Sequence, residues 1–140
     1  MKLLSSCETT ALALADVTRL RLIRLFSTAP IELCLCDLSA GLELPAYKLS
    51  RHLKVLREAG VLSARKEGRW LFHKLSTAQH HLKHLAAMVS ALPDEGRVFS
   101  ADRKRLEKTL KARDYEKCQT GCPPLKVKAP AETEKTCAQC

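Results

Sequence analysis

Aromatic residues are scarce, at 4% of 140, and the apolar supply is left to Leu, Ala and Val. A core of that kind points to a mainly helical fold, and sharing a small leucine core between two copies is the expected route to stability. No run of about 18 apolar residues is present, so no transmembrane helix is expected, and the N-terminus lacks the apolar region of a signal peptide. The expected compartment is the cytoplasm, with no membrane partner. No internal repeat is visible. With 46% hydrophobic content, one domain with a modest core plus a tail is the natural division.

What is present in excess is positive charge, +9 overall from 24 basic and 15 acidic residues. Its placement matters more than its size. Residues 45–75 hold Lys48, Arg51, Lys54, Arg57, Arg65, Lys66, Arg69 and Lys74 against Glu58 and Glu67, whereas the first 44 residues are close to neutral. Positive charge concentrated on one compact unit is the footprint of a nucleic-acid binder, set against the plainer reading of a solvated basic face. Seven cysteines (Cys7, Cys34, Cys36, Cys118, Cys122, Cys137 and Cys140) in a reducing compartment suit metal or metalloid ligation, or redox response, better than structural disulfides.

Apolar spacing predicts helices over about 8–15 and 18–27, broken near Asp16-Val17-Thr18 because Asp and Thr favour caps. Arg19, Arg21 and Arg24 fall off the apolar stripe and are expected in solvent. A short helix is predicted over 35–41, with Pro45 opening the next one. There Leu49, Leu53 and Leu56 form one stripe, while Ser50, Arg51, Lys54, Arg57 and Glu58 gather opposite. Two short helices joined by a turn, the second amphipathic and basic, are the layout of a helix-turn-helix whose second helix enters the major groove. Gly60 ends that helix, and strands over 61–66 and 69–75 flank Glu67-Gly68 as a basic hairpin, or wing. Trp70 and Phe72 share a strand face and are assigned to the core. Helical spacing resumes from Thr77 to Leu92, offering an apolar stripe for dimerisation. A charged, solvated helix is expected over 101–115. The fold class is therefore mainly α with a small β-hairpin, a homodimeric winged helix-turn-helix over 1–92, a charged helical extension over 93–117 and a flexible cysteine-bearing tail over 118–140.

The residues Glu32-Leu33-Cys34-Leu35-Cys36-Asp37-Leu38, Leu49-Ser50-Arg51-His52-Leu53, Leu56-Arg57-Glu58-Ala59-Gly60-Val61-Leu62 and Arg65-Lys66-Glu67-Gly68-Arg69-Trp70 resemble the ArsR/SmtB family of winged-helix metal-sensing repressors. The resemblance covers roughly residues 10–90, and the ELC-x-CDL segment looks like the metal-binding box of arsenic- and antimony-responsive members, or of cadmium and lead sensors. It implies a homodimer on double-stranded operator DNA, without a cofactor for DNA binding, that is released by As(III) or Sb(III). It also maps two ligands onto Cys34 and Cys36. Many arsenic sensors carry a third cysteine three positions further on, where this chain has Ser39, so a third thiolate must come from elsewhere, with Cys118 or Cys122 as candidates.

The chemistry stands on its own terms as well. Soft ions select thiolates. On an ideal helix Cys34 and Cys36 would point about 200° apart, so a chelate using both must unwind or kink the helix start. The plainer alternative is two small buried apolar cysteines. The tail pairs Cys118-x3-Cys122 and Cys137-x2-Cys140 could form a zinc knuckle, lend one thiolate, or act as a thiol trap. Cys7, placed before the first helix, is a weaker donor. His80, His81 and His84 lie where zinc-sensing relatives place ligands, but without the acidic partners they read as solvated or packing residues.

Candidate DNA contacts are Tyr47, Lys48, Ser50, Arg51, His52 and Lys54 on the recognition helix, with Arg65, Lys66, Arg69 and Lys74 on the wing. Rival readings keep the fold and change the signal to cadmium, lead, zinc or thiol oxidation. Outside the class, a thiol-based metalloid reductase rests on Cys137-x2-Cys140 alone, with no βαβ pattern or phosphate loop beside it. The sequence is otherwise that of a regulator rather than an enzyme.

Overall fold

A computed structural model describes residues 2–28, 31–68 and 70–112. Six helices run Lys2–Leu14 (α1), Val17–Thr28 (α2), Leu35–Leu42 (α3), Ala46–Glu58 (α4), His80–Ser90 (α5) and Val98–Ala112 (α6), with strands Leu33–Cys34 (β1), Leu62–Glu67 (β2) and Trp70–Leu75 (β3). The break between α1 and α2 falls where Asp16 caps the second helix, its Oδ1 accepting the Arg19 N–H at 3.1 Å. Helix α1 starts earlier than its apolar spacing suggested, so Cys7 lies within it, exposed, rather than ahead of it.

Leu22, Ile23, Leu25, Leu38, Leu42, Leu49, Leu53 and Leu56 are fully buried and join α2, α3 and α4 in one core. Each such leucine contributes about 1.5–3 kcal/mol. Helix α4 stops where Gly60 adopts φ 74°. The Gly60 and Val61 N–H groups then reach back to the Arg57 and Leu56 carbonyls, the paired bonds of a glycine-terminated helix.

The hairpin closes with Glu67 opposite Trp70, one position later than expected. Its sheet has a third strand that the spacing did not reveal. β1 pairs antiparallel with β3, Leu33 opposite His73 and Cys34 opposite Phe72, giving the order β1-β3-β2. Trp70 is buried, and Phe72 packs at the edge of the core.

One expectation is overturned, for α6, and another is narrowed. The stripe on α5 is not left bare, since Leu82 and Val89 are buried in the chain's own core, against α2. Helix α6 is not solvated throughout either. It packs on α3 with Leu106 and Asp102 buried, the Leu106 side chain passing beside Gly41.

The arginines of α2 are structural. Arg21 donates to Asp102 at 2.7 and 2.8 Å and to the Leu42 carbonyl at 3.0 Å. Arg24 caps the end of α5 through the Val89, Ser90 and Leu92 carbonyls and lies over the Phe99 ring. Arg19 Nε donates to the Ala13 carbonyl. Arginine reads as surface in a sequence because its charge is costly to bury alone; here carbonyls and carboxylates meet that cost. No helix among the described residues is long and apolar enough to cross a membrane.

Candidate nucleic-acid interface and thiol site

Helix α4 presents two faces. Leu49, Leu53 and Leu56 are buried, while Tyr47, Lys48, Arg51 and Lys54 are exposed on the outside, with Ser50 half-buried at the boundary. Lys54 leans on Glu58 at 3.8 Å, a pair one helical turn apart. His52 turns inward toward Asp16, its Nδ1 3.7 Å from the carboxylate, so it belongs as much to the α1–α2 junction as to the outer face.

On the wing Lys66 and Lys74 are exposed. Arg65 is exposed too, yet its guanidinium meets Glu32 and Glu67, both at 2.6 Å, and stacks over Phe72. The Arg65 hydrogen bond holds the Glu32 carboxyl below the usual carboxylate range. Arg69 lies outside the described residues, as do Cys118, Cys122, Cys137 and Cys140.

Cys34 and Cys36 are both buried. They do not share a regular helix, which replaces the 200° opposition expected from ideal geometry. Cys34 is the N-cap of α3, in extended backbone at φ −89° and ψ 168°, and only Cys36 is helical. The Asp37 carboxylate accepts the Cys34 backbone N–H at 3.0 Å, one half of a capping box at this junction. An acid in the first turn also suits the helix dipole.

Ser39, the position where a third cysteine was sought, is buried with its hydroxyl donating to the Leu44 carbonyl at 2.6 Å. It closes the α3–α4 turn rather than facing a ligand. No group of three or more His, Cys, Asp or Glu side chains that could hold a metal ion occurs among the described residues.

One constellation had no signal in the sequence. His73 of β3 is buried, and its Nε2 lies 2.9 Å from Arg57 Nη1. A guanidinium only donates, so Nε2 accepts and the ring is neutral, with its proton on Nδ1. Burial, reinforced by the Arg57 charge, pushes the His73 pKa down to about 4. Nδ1 faces the Leu33 and Leu71 backbone without reaching hydrogen-bond geometry. Arg57, expected on the solvated face of α4, is half-buried instead. Of the α5 histidines, His80 and His84 are exposed, their rings tilted against one another with centroids 5.0 Å apart.

The sequence profile described as "Bacterial regulatory protein, arsR family" matches residues 16–64, which span α2, α3, α4 and the start of the wing. Reduced HlyU from Vibrio cholerae superposes with a TM-score of 0.54 at 30% identity, covering 63% of this chain and 88% of that one. The chain belongs to the arsR family. Among curated relatives of this arsR-family chain, the "Arsenical resistance operon repressor" of Escherichia coli is 43% identical over 82 residues, covering 59% of this chain and 64% of that protein. The "Arsenic resistance transcriptional regulator ArsR1" of Pseudomonas putida is 48% identical over 62 residues, covering 44% and 48%. The arsR-family chain thus spans about half to two thirds of the length of these relatives.

Proposed function

We propose that the protein is a homodimeric, cytoplasmic transcriptional repressor that holds operator DNA with α4 and the wing. It lets go when trivalent arsenic or antimony is taken up by Cys34, Cys36 and a third thiolate from Cys118 or Cys122. The observation that carries this reading is the double position of Cys34, which is at once the N-cap of α3 and a rung of the β1–β3 ladder opposite Phe72.

Trivalent arsenic is thiophilic, and softness selects sulfur over the oxygens and nitrogens nearby. Drawing two sulfurs of a strand–helix junction onto one ion cannot leave the capping box, the ladder and the α3–α4 packing all unchanged. The outer face of α4 is aimed by that packing, so the ion-bound and DNA-bound shapes compete. Differential affinity of this kind is what a switch requires. On the DNA side, Tyr47, Lys48, Ser50, Arg51, His52 and Lys54 supply the recognition helix, and Arg65, Lys66 and Arg69 the wing. The names of the Escherichia coli and Pseudomonas putida relatives support arsenic as the signal. Because the Ser39 hydroxyl is committed to Leu44, a second reading in which cadmium, lead or zinc draws more than one tail cysteine stays in the test.

The test is an operator duplex, selected from a random pool by the full chain, titrated at fixed salt with arsenite, antimonite, cadmium and zinc. Arsenite and antimonite are expected to weaken binding at least tenfold. Cys34→Ser and Cys36→Ser are expected to bind DNA and ignore both ions. An arsenite-saturated protein that holds the duplex as tightly as the ion-free one overturns the reading, and a truncation after Tyr115 that responds normally removes the tail thiols from it. Release by cadmium or zinc alone favours the second reading.

A further inference from the structure

We infer that the part-buried Arg57–His73 contact is the positioning link through which the Cys34 junction is felt by the recognition helix, an inference that rests on the proposed release of DNA by thiol ligation. Its placement carries the argument. Leu33, one residue before Cys34, is the register partner of His73 across the β1–β3 ladder. On the same ring, Nε2 accepts from Arg57, three residues before the glycine-closed end of α4. One buried imidazole therefore touches the strand carrying the first thiol and the helix carrying Tyr47, Lys48, Arg51 and Lys54.

No apolar residue could play both parts, because the contact to Arg57 needs an acceptor at the ring edge. The contact is also poised to respond. His73 Nδ1 is buried without a hydrogen bond of good geometry, and the Leu33 and Leu71 backbone lies against the ring, so a movement of β1 reaches the ring directly. A displacement of Leu33 that shifts the ring breaks or lengthens the bond to Arg57, and the C-terminal half of α4 is freed from the sheet. The other route from the thiols to α4, the packing of α3 on α4, remains in place. The link adds to that route and sets how completely ligation is transmitted.

The experiment compares the full chain with His73→Leu, His73→Gln and Arg57→Met, reading operator affinity with and without arsenite. For wild type the ratio of the two affinities is expected to be at least tenfold. For His73→Leu and Arg57→Met the ion-free affinity is expected to stay within about threefold of wild type while the ratio falls toward two. His73→Gln, which keeps an acceptor, is expected to recover part of the ratio. A second readout needs no ion: Arg57→Met, a change on α4, is expected to speed amide hydrogen exchange in β1 at least threefold. Unchanged ratios in all three variants, with unchanged β1 exchange, overturn the link while leaving the proposed function standing. A wild-type ratio of one overturns both.

Discussion

The two ends of α3 are held in different ways. Its C-terminal end is clamped by arginines of α2 and α6: Arg105 donates to the Gly41 carbonyl at 2.8 Å and Arg21 to the Leu42 carbonyl, and both converge on buried Asp102. Two guanidiniums on the last carbonyls also oppose the negative end of the helix dipole. Its N-terminal end is held by a two-residue strand, a capping box and, through Glu32, an exposed ion pair. Among the ties just named, the buried charge at one end is the strongest and those at the other are individually small.

The largest test of that contrast is Asp102→Ala. Removing the carboxylate leaves Arg21 and Arg105 partly buried without their partner, and breaking a buried ion pair in this way costs about 3–5 kcal/mol. Urea unfolding should show the loss, and Asp102→Asn, which keeps an acceptor, should show less. A loss under about 1 kcal/mol would mean that the two ends of α3 do not differ in strength.

Acid should act at the other end. The His73 pKa is lowered to about 4 in the folded chain by burial and then by Arg57, against about 6.5 unfolded. Between these values the unfolded state holds more protons. The stability tied to a neutral His73 is therefore fully present above about pH 6.5, falls as the pH drops, and stops falling below about 4. The window is worth about 3 kcal/mol. His73→Leu should flatten the stability curve between pH 6.5 and 4, and a slope unchanged from wild type would remove His73 from this account.

Much of this contrast could not be read in advance, for physical reasons. The stripe Leu49, Leu53, Leu56, the cap at Asp16, the stop at Gly60 and the wing around Gly68 follow from local preference and periodicity, and they stand close to where the sequence puts them. The placing of Cys34 and Cys36 at the start of a short helix and the basic outer face of α4 were equally legible. β1 was not, because two residues cannot display a period, and with it went the tie between Cys34 and the wing. The clamp was hidden because Arg21 and Asp102 are 81 positions apart and a charged residue reads as solvated until its partner is known. His73 stayed out of sight for a related reason: on a half-buried strand, a histidine beside Lys74 gives no sign of which face it will take.

A smaller effect is expected from Asp37→Ala. It deletes the carboxylate that accepts the Cys34 N–H, and loss of a cap costs about 0.5–2 kcal/mol. Hydrogen exchange at Cys34 should rise more than exchange at Leu42, since the arginine clamp on the far end is untouched. Equal rises at both ends would show that α3 loosens as one body, contrary to the contrast.

The smallest expected effect is that of Glu32→Gln. Glu32 joins the residue before β1 to Arg65 on β2 at 2.6 Å, with the Arg65 side chain about half exposed. An exposed ion pair contributes about 0–1 kcal/mol and fades with salt, so the unfolding midpoint should barely move. The consequence for DNA runs the other way. Glu32 and Glu67 offset the Arg65 charge, and removing one of them leaves the wing more positive where it would meet phosphate. Glu32→Gln should therefore bind random duplex more tightly at low salt, with a steeper salt dependence by a fraction of one phosphate contact. A marked fall in the unfolding midpoint, with DNA affinity unchanged, would mean that Glu32 is a fastener of the N-terminal end of α3 after all and would narrow the difference in strength between its two ends.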